Sequence, residues 1–170
     1  MIKNFNEFIN ENIINTSDEQ LFLDKLGFKS FEEIQRHCTR DWYSRSTYGG
    51  GKCTYVPSII PMRIIASAIG RYMKSNPSAD TYGKLITKFG RPFLCFYVEN
   101  NNKEVEIKFE DGEITHYGED MTEPKITVHY SGKMSVIRGD DRRQFGDTDW
   151  HENEMEKISN RLLQVLDNVL

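Results

Sequence analysis

The sequence predicts an α+β domain in which short helices come first, an antiparallel meander of about five strands follows, and a helix closes the chain. Three observations predict it. Apolar residues recur every three to four positions from Phe5 to Ile13 and from Ile60 to Tyr72, form a continuous run from Phe93 to Val98 followed by alternation from Lys103 to Phe109, and return to the helical period from Met155 to Val169. With 170 residues and a mean hydropathy of -0.61, the chain suits one globular domain that needs neither disulfide nor structural metal. Cys38, Cys53 and Cys95, an odd number at wide spacing, give no disulfide framework and no paired metal ligands. No run reaches the ~20 apolar residues of a membrane span, and the start lacks a secretory signal, so a reduced, cytosolic setting is expected.

The elements follow in order. Phe5, Phe8, Ile9 and Ile13 share one helical face, so residues 1–15 form an amphipathic helix set apart from a single domain over 16–170. Ser17 with Gln20 makes a capping box for a helix through Leu21, Leu23 and Leu26, stopped by Gly27. Ser30 with Glu33 repeats the device for Phe31 to about Cys38. Two helices joined at a glycine suggest a helix-turn-helix, but Glu32 and Glu33 would put acids where a recognition helix meets DNA. From Asp41 to Pro57 no period holds, and Gly49, Gly50 and Gly51 make this a loop. Ser58 caps the central helix, Ile59 to about Ser75, whose Ile60, Ile64, Ile65, Ala68, Ile69 and Tyr72 form a wide apolar face.

Asn76, Pro77 and Ser78 break the chain and cap a further helix ending at Phe89 before Gly90. Phe93 to Val98 is a continuous apolar run, as in a strand covered on both faces. Asn100, Asn101 and Asn102 turn into Lys103 to Phe109, where Val105, Ile107 and Phe109 alternate with Glu104, Glu106 and Lys108. Asp111 and Gly112 signal a hairpin into Glu113 to Tyr117. Lys125 to Tyr130 and Lys133 to Arg138 complete the meander around Ser131 and Gly132. Asp149 with Glu152 then caps the terminal helix, with Met155, Ile158, Leu162, Val165 and Val169 on its apolar stripe.

The net charge of -4 conceals an asymmetry. Arg36 to Arg91 holds ten basic residues against Asp41 and Asp80, whereas Glu99 to Glu123 holds nine acids against Lys103 and Lys108. Much of this is the ordinary solvation of charged faces. Within the basic half, however, Arg36, Arg40, Arg45 and Lys52 interleave with Trp42, Tyr43 and Tyr48, a mixture that supplies both phosphate contacts and stacking platforms. These seven residues are the candidate binding surface.

Candidate chemistry is sparse. Tyr48 to Thr54 has the glycines of a phosphate loop, but Ser46 stands where its first glycine belongs and Cys53 where Ser or Thr must follow Lys52. Asp147, Asp149, His151, Glu152 and Glu154 gather possible cation ligands, and they serve equally as loop and helix cap. Arg138-Gly139-Asp140 reads as a turn. No metal and no cofactor is expected. His37-Cys38-Thr39 and His129-Tyr130-Ser131 resemble the paired His-x-Thr/Ser motifs of two-histidine phosphoesterases. That resemblance implies His37 and His129 as acid and base, Thr39 and Ser131 as phosphate-holding hydroxyls, and one shared cleft.

The opening Met-Ile-Lys-Asn-Phe-Asn-Glu-Phe-Ile-Asn-Glu, Met1 to Glu11, resembles the capsid-targeting leader of head-packaged internal proteins of large T-even-type tailed phages. Phe5, Phe8 and Ile9 carry the match, and Ile9-Asn10-Glu11 matches the hydrophobic-x-Glu triplet after which a phage protease cuts; Ile2 is an extra residue relative to the usual start. The resemblance implies docking on the head scaffold, packaging, and a location in the virion interior and then the host cytoplasm. The expectation is therefore a non-enzymatic phage protein that binds a host protein or nucleic acid, with no membrane contact. The alternative is phosphodiester cleavage through His37 and His129.

Overall fold

The computed structural model describes residues 16–43, 50–88, 90–110, 125–138 and 152–170. Helix α1 (Thr16–Leu26) and helix α2 (Phe31–Cys38) lead into strands β1 (Arg40–Tyr43) and β2 (Lys52–Tyr55), and the central helix α3 (Ile59–Ser75) follows. Strands β3 (Asp80–Lys88), β4 (Arg91–Asn100), β5 (Lys103–Glu110), β6 (Lys125–Tyr130) and β7 (Lys133–Ile137) precede the terminal helix α4 (Glu152–Val169). The five later strands form one antiparallel sheet in sequential order, β3-β4-β5-β6-β7, so the α+β meander is as expected. β1 and β2 pair separately.

Antiparallel register sorts the side chains into two faces. Gly83, Phe96, Ile107, Val128 and Ser135 form one row of the inner face, and Leu85, Leu94, Phe109, Ile126 and Ile137 the next. The helices cover this face. Ile64, Ile65, Ile69 and Tyr72 of α3, Phe22 of α1, and Ile158, Leu162 and Leu166 of α4 join Phe96, Val98, Val105 and Ile107 in one core. Phe22 meets Phe96 edge to face at 5.2 Å. The opposite row, Tyr82, Tyr97, Glu106, His129 and Met134, lies on the outer face.

Helix α1 crosses α3 with its backbone almost touching it. A Cβ on Gly70 would lie 2.1 Å from the Asp18 carbonyl oxygen, so only glycine permits this approach. Ion pairs flank the crossing: buried Asp18 with Lys74 at 2.5 Å, and buried Glu19 with Arg63 at 3.1 Å.

Four expectations are corrected. Asn76 to Phe89 is not a helix, because α3 stops at Asn76, whose N–H bonds Tyr72 and Met73 carbonyls. Ala79 N–H then closes a turn on Asn76 O, and the next nine residues pair with β4 from Asp80↔Glu99 to Lys88↔Arg91. Pairing along the full length of β4 overrides the local capping signals. Asp41 to Pro57 is not wholly a loop, since Arg40 to Tyr43 pairs with Lys52 to Tyr55 and the Tyr55 hydroxyl accepts the Leu94 N–H, pinning the small hairpin to β4. The helix assigned to a Ser17 cap begins at Thr16, and Ser17 instead accepts from Lys74 Nζ. The Ser58 hydroxyl makes no capping bond, although the helix begins where expected.

The other turns form as read. Ser30 accepts the Glu33 N–H, and positive φ at Asn101, Asn102, Ser131 and Gly132 makes the two-residue turns. The Phe5 to Ile13 helix, the Asp111-Gly112 turn with its Glu113 to Tyr117 strand, and Asp149 lie outside the described residues.

Candidate functional site

The site begins with how the first helix ends. Gly27, at φ +81°, donates to the carbonyls of Leu23 and Asp24, and Phe28 N–H bonds Leu23 O, the Schellman arrangement that a left-handed glycine allows. The chain reverses, Ser30 starts α2, and α2 turns Phe31, Ile34 and Cys38 into the core. His37 is left on the exposed flank, 5.5 Å from the Phe28 ring between centroids. Thr39 then breaks the helix, its hydroxyl donating to Gln35 O at 2.7 Å.

Between α1, α2 and the edge strand β3 lies a groove of about 310 Å³. Ile34, Leu85, Leu94 and Phe96 give it an apolar floor, and Lys25, His37, Arg40 and Lys84 stand at its rim. Among the described residues, no carboxylate side chain lines this groove. The site therefore favours an anionic ligand with apolar parts. Arg40 is held in place by two hydrogen bonds of 2.8 Å from Nη1 to the His37 and Thr39 carbonyls, at the negative end of the α2 dipole.

The backbone of β3 contributes as well. Thr81 N–H turns away from β4 to Asp80 Oδ1 at 2.9 Å. By the alternation of an antiparallel pair, the backbone groups of Thr81, Gly83, Leu85 and Thr87 are directed to the outer edge. No further strand pairs with that edge among the described residues. Gly83 sits at its middle with no side chain to fill the groove, and a Cβ there would rest 3.4 Å from the Phe96 ring.

Of the expected binding residues that the structure describes, one lines this groove. Arg40 lines it, and Arg36 is exposed on the same helix as His37. Trp42 faces the body, with the Arg91 guanidinium 5.8 Å from its ring centroid, and Arg91 also lies 5.3 Å from Phe93. Tyr43 is 73% exposed on the other face of the β1-β2 hairpin. There Lys52 pairs with Asp41 at 3.2 Å, while Thr54 donates to the same carboxylate. The Thr54 hydrogen bond and then Lys52 hold the Asp41 carboxyl below its ordinary range. Arg45 and Tyr48 lie outside the described residues, as do Phe5, Phe8, Ile9 and Glu11.

The paired histidine motifs are not brought together. His37 lies at the groove on the helix-covered side, whereas His129 occupies the outer face of β6 opposite Glu106. Three strand spacings separate β6 from β3, about 14 Å, with the sheet between the two imidazoles. Thr39 serves the helix end, and Ser131 belongs to the β6-β7 turn. One phosphate cannot reach both rings.

The outer face carries an aromatic and acidic row. Tyr82 and Tyr97 stack at 4.7 Å, and their hydroxyls donate to Glu104 and Glu106. The Glu104 hydrogen bond pushes the Tyr82 phenol up to about 12, and burial does most to raise that of Tyr97. Burial also pushes the Cys95 thiol up to about 12 and raises that of Cys38, so neither is a ready nucleophile. No group of three or more metal-ligating side chains occurs among the described residues, and no helix there is long and apolar enough to cross a membrane.

Sequence reasoning placed Arg40 and His37 near function but missed Lys25, Lys84 and Gly83. The detectable signal was a glycine inside an alternating Thr81-Gly83-Leu85 run, obscured by the helix-capping residues before it. Comparison of the chain with protein-family models, curated proteins and solved structures finds no match in any of the three.

Proposed function

We propose that this chain is a non-enzymatic binding protein of a large tailed phage, carried with the head and acting on a host protein through the groove between α1, α2 and β3. One observation carries the binding reading: an apolar trough rimmed by Lys25, His37, Arg40 and Lys84, with no acid among its described lining residues, in a protein of net charge -4. A surface so unlike the chain's average is suited to an anionic partner. The phage association rests on the resemblance of Met1 to Glu11 to a capsid-targeting leader. The separation of His37 from His129 favours binding over phosphodiester cleavage.

The binding test is fluorescence anisotropy with an acidic peptide and with duplex DNA, each at two salt concentrations. Saturable, salt-weakened binding that falls on Arg40→Ala and Lys84→Glu supports the reading. Binding indifferent to both substitutions overturns it, as does phosphodiester hydrolysis that disappears with His37→Ala. For the phage association, mass spectrometry of purified virions should find the protein, beginning at Asn12 if the leader is cut after Glu11. Its absence from virions overturns that association.

A further inference from the structure

Resting on that binding reading, we propose that the partner enters as an extended, acidic-apolar segment that hydrogen-bonds to the outer edge of β3 and becomes a sixth strand of the sheet. A small ligand would need only the trough. Here the trough runs beside an edge strand that pairs over nine residues on one side only, among the described residues. Exposed edges of this kind are templates for strand addition. Gly83, Leu85 and Thr87 offer donors and acceptors at every second residue, which is the spacing an incoming strand requires, whereas buried Thr81 has its N–H taken by Asp80 and closes that end of the edge.

Side-chain alternation then sets the ligand's pattern. Residues of the added strand that share a face with Gly83 and Leu85 lie over Ile34, Leu94 and Phe96, so they are apolar. Residues on the other face come beside Lys84, and the segment's flanks meet Lys25 and Arg40. Neither Lys25 nor Lys84 is ion-paired among the described residues, which leaves both charges for acidic partners. Gly83 at the centre keeps the space that a second backbone needs, a common reason for glycine within a strand. Duplex DNA presents no backbone donors for such an edge and cannot enter an apolar trough, so an acidic polypeptide is the favoured occupant.

The probe is a fluorescein-labelled eight-residue peptide of alternating Glu and Val, titrated against the full chain. Saturable binding is expected, with a loss of about tenfold or more in Lys25→Glu/Lys84→Glu. Gly83→Val should abolish binding while keeping the fold, because its Cβ meets Phe96 at an ordinary packing distance of 3.4 Å. Circular dichroism and the unfolding temperature check that the fold is retained.

Two N-methylated probes test the backbone. Methylating either the valines or the glutamates should abolish binding, and methylating the other set should leave it, since only alternate amides of an added strand face β3. Equal tolerance or equal loss for the two sets overturns strand addition while the groove reading stands. A peptide that binds with no sensitivity to Lys25, Lys84 or Gly83 overturns both. Displacement of the peptide by duplex DNA through the same residues makes the ligand a nucleic acid and overturns the inference.

Discussion

Replacing Gly70 with Ala sets two physical effects against each other at one position. Alanine in a helix interior is favoured over glycine by about 1 kcal/mol, so propensity alone predicts a more stable protein. The tertiary structure predicts the reverse. The new Cβ would lie 2.1 Å from the Asp18 carbonyl oxygen, 2.6 Å from its carbon and 3.0 Å from its Cα, all backbone atoms of α1 that no rotamer change can move. Restoring a normal separation of roughly 3.4 Å requires α1 to shift by about 1 Å, against the packing of Phe22 and the Asp18–Lys74 and Glu19–Arg63 pairs.

Overpacking of a close-packed interior costs about 1–3 kcal/mol, and the immobile backbone puts this site at the upper end. Subtracting the propensity gain leaves about 2 kcal/mol of net destabilisation, which in a domain of this size lowers Tm by roughly 4–8 °C. Thermal and urea unfolding followed by circular dichroism measure it, and hydrogen exchange should show α1 losing protection first. An unchanged or raised Tm for Gly70→Ala would refute the close crossing.

Two further perturbations test the packing around the site. Burial raises the Glu19 carboxyl above its ordinary 4.5 despite Arg63, so the folded state holds its proton more tightly than the unfolded chain. Stability from this group is complete below pH 4.5 and declines as pH rises through the folded value; Glu19→Gln should remove that decline, and an identical pH slope for the two proteins would contradict it. Tyr55→Phe deprives the Leu94 N–H of its 3.0 Å acceptor, so about 1–3 kcal/mol of stability should be lost in denaturant titrations, with faster exchange of the Leu94 amide. Unaltered exchange there would mean that the β1-β2 hairpin is not pinned to β4 as described.

The sequence by itself determined the parts whose periodicity agrees with their final burial. Ile64, Ile65, Ala68, Ile69 and Tyr72 are apolar at helical spacing and are all buried in α3. Val105 and Ile107 alternate with charged neighbours and are both fully buried in β5. Asn101-Asn102 and Ser131-Gly132 carry residues that tolerate positive φ, so their turns are local and legible.

Tertiary structure decided the rest. Asp80 to Lys88 has Thr81 and Gly83 where a core strand would show bulky residues, because its inner side borders the groove; only the ladder to β4 makes it a strand. Arg40 to Tyr43 and Lys52 to Tyr55 are too short to declare themselves, and they depend on Tyr55 reaching Leu94. The basic rim was equally hidden. Lys25 and Lys84 lie 59 positions apart in the sequence, and no local pattern reports a charge environment that exists only when α1 packs beside β3. Period and turn chemistry act over a few residues, whereas a binding groove is made where distant segments fail to fill the space between them.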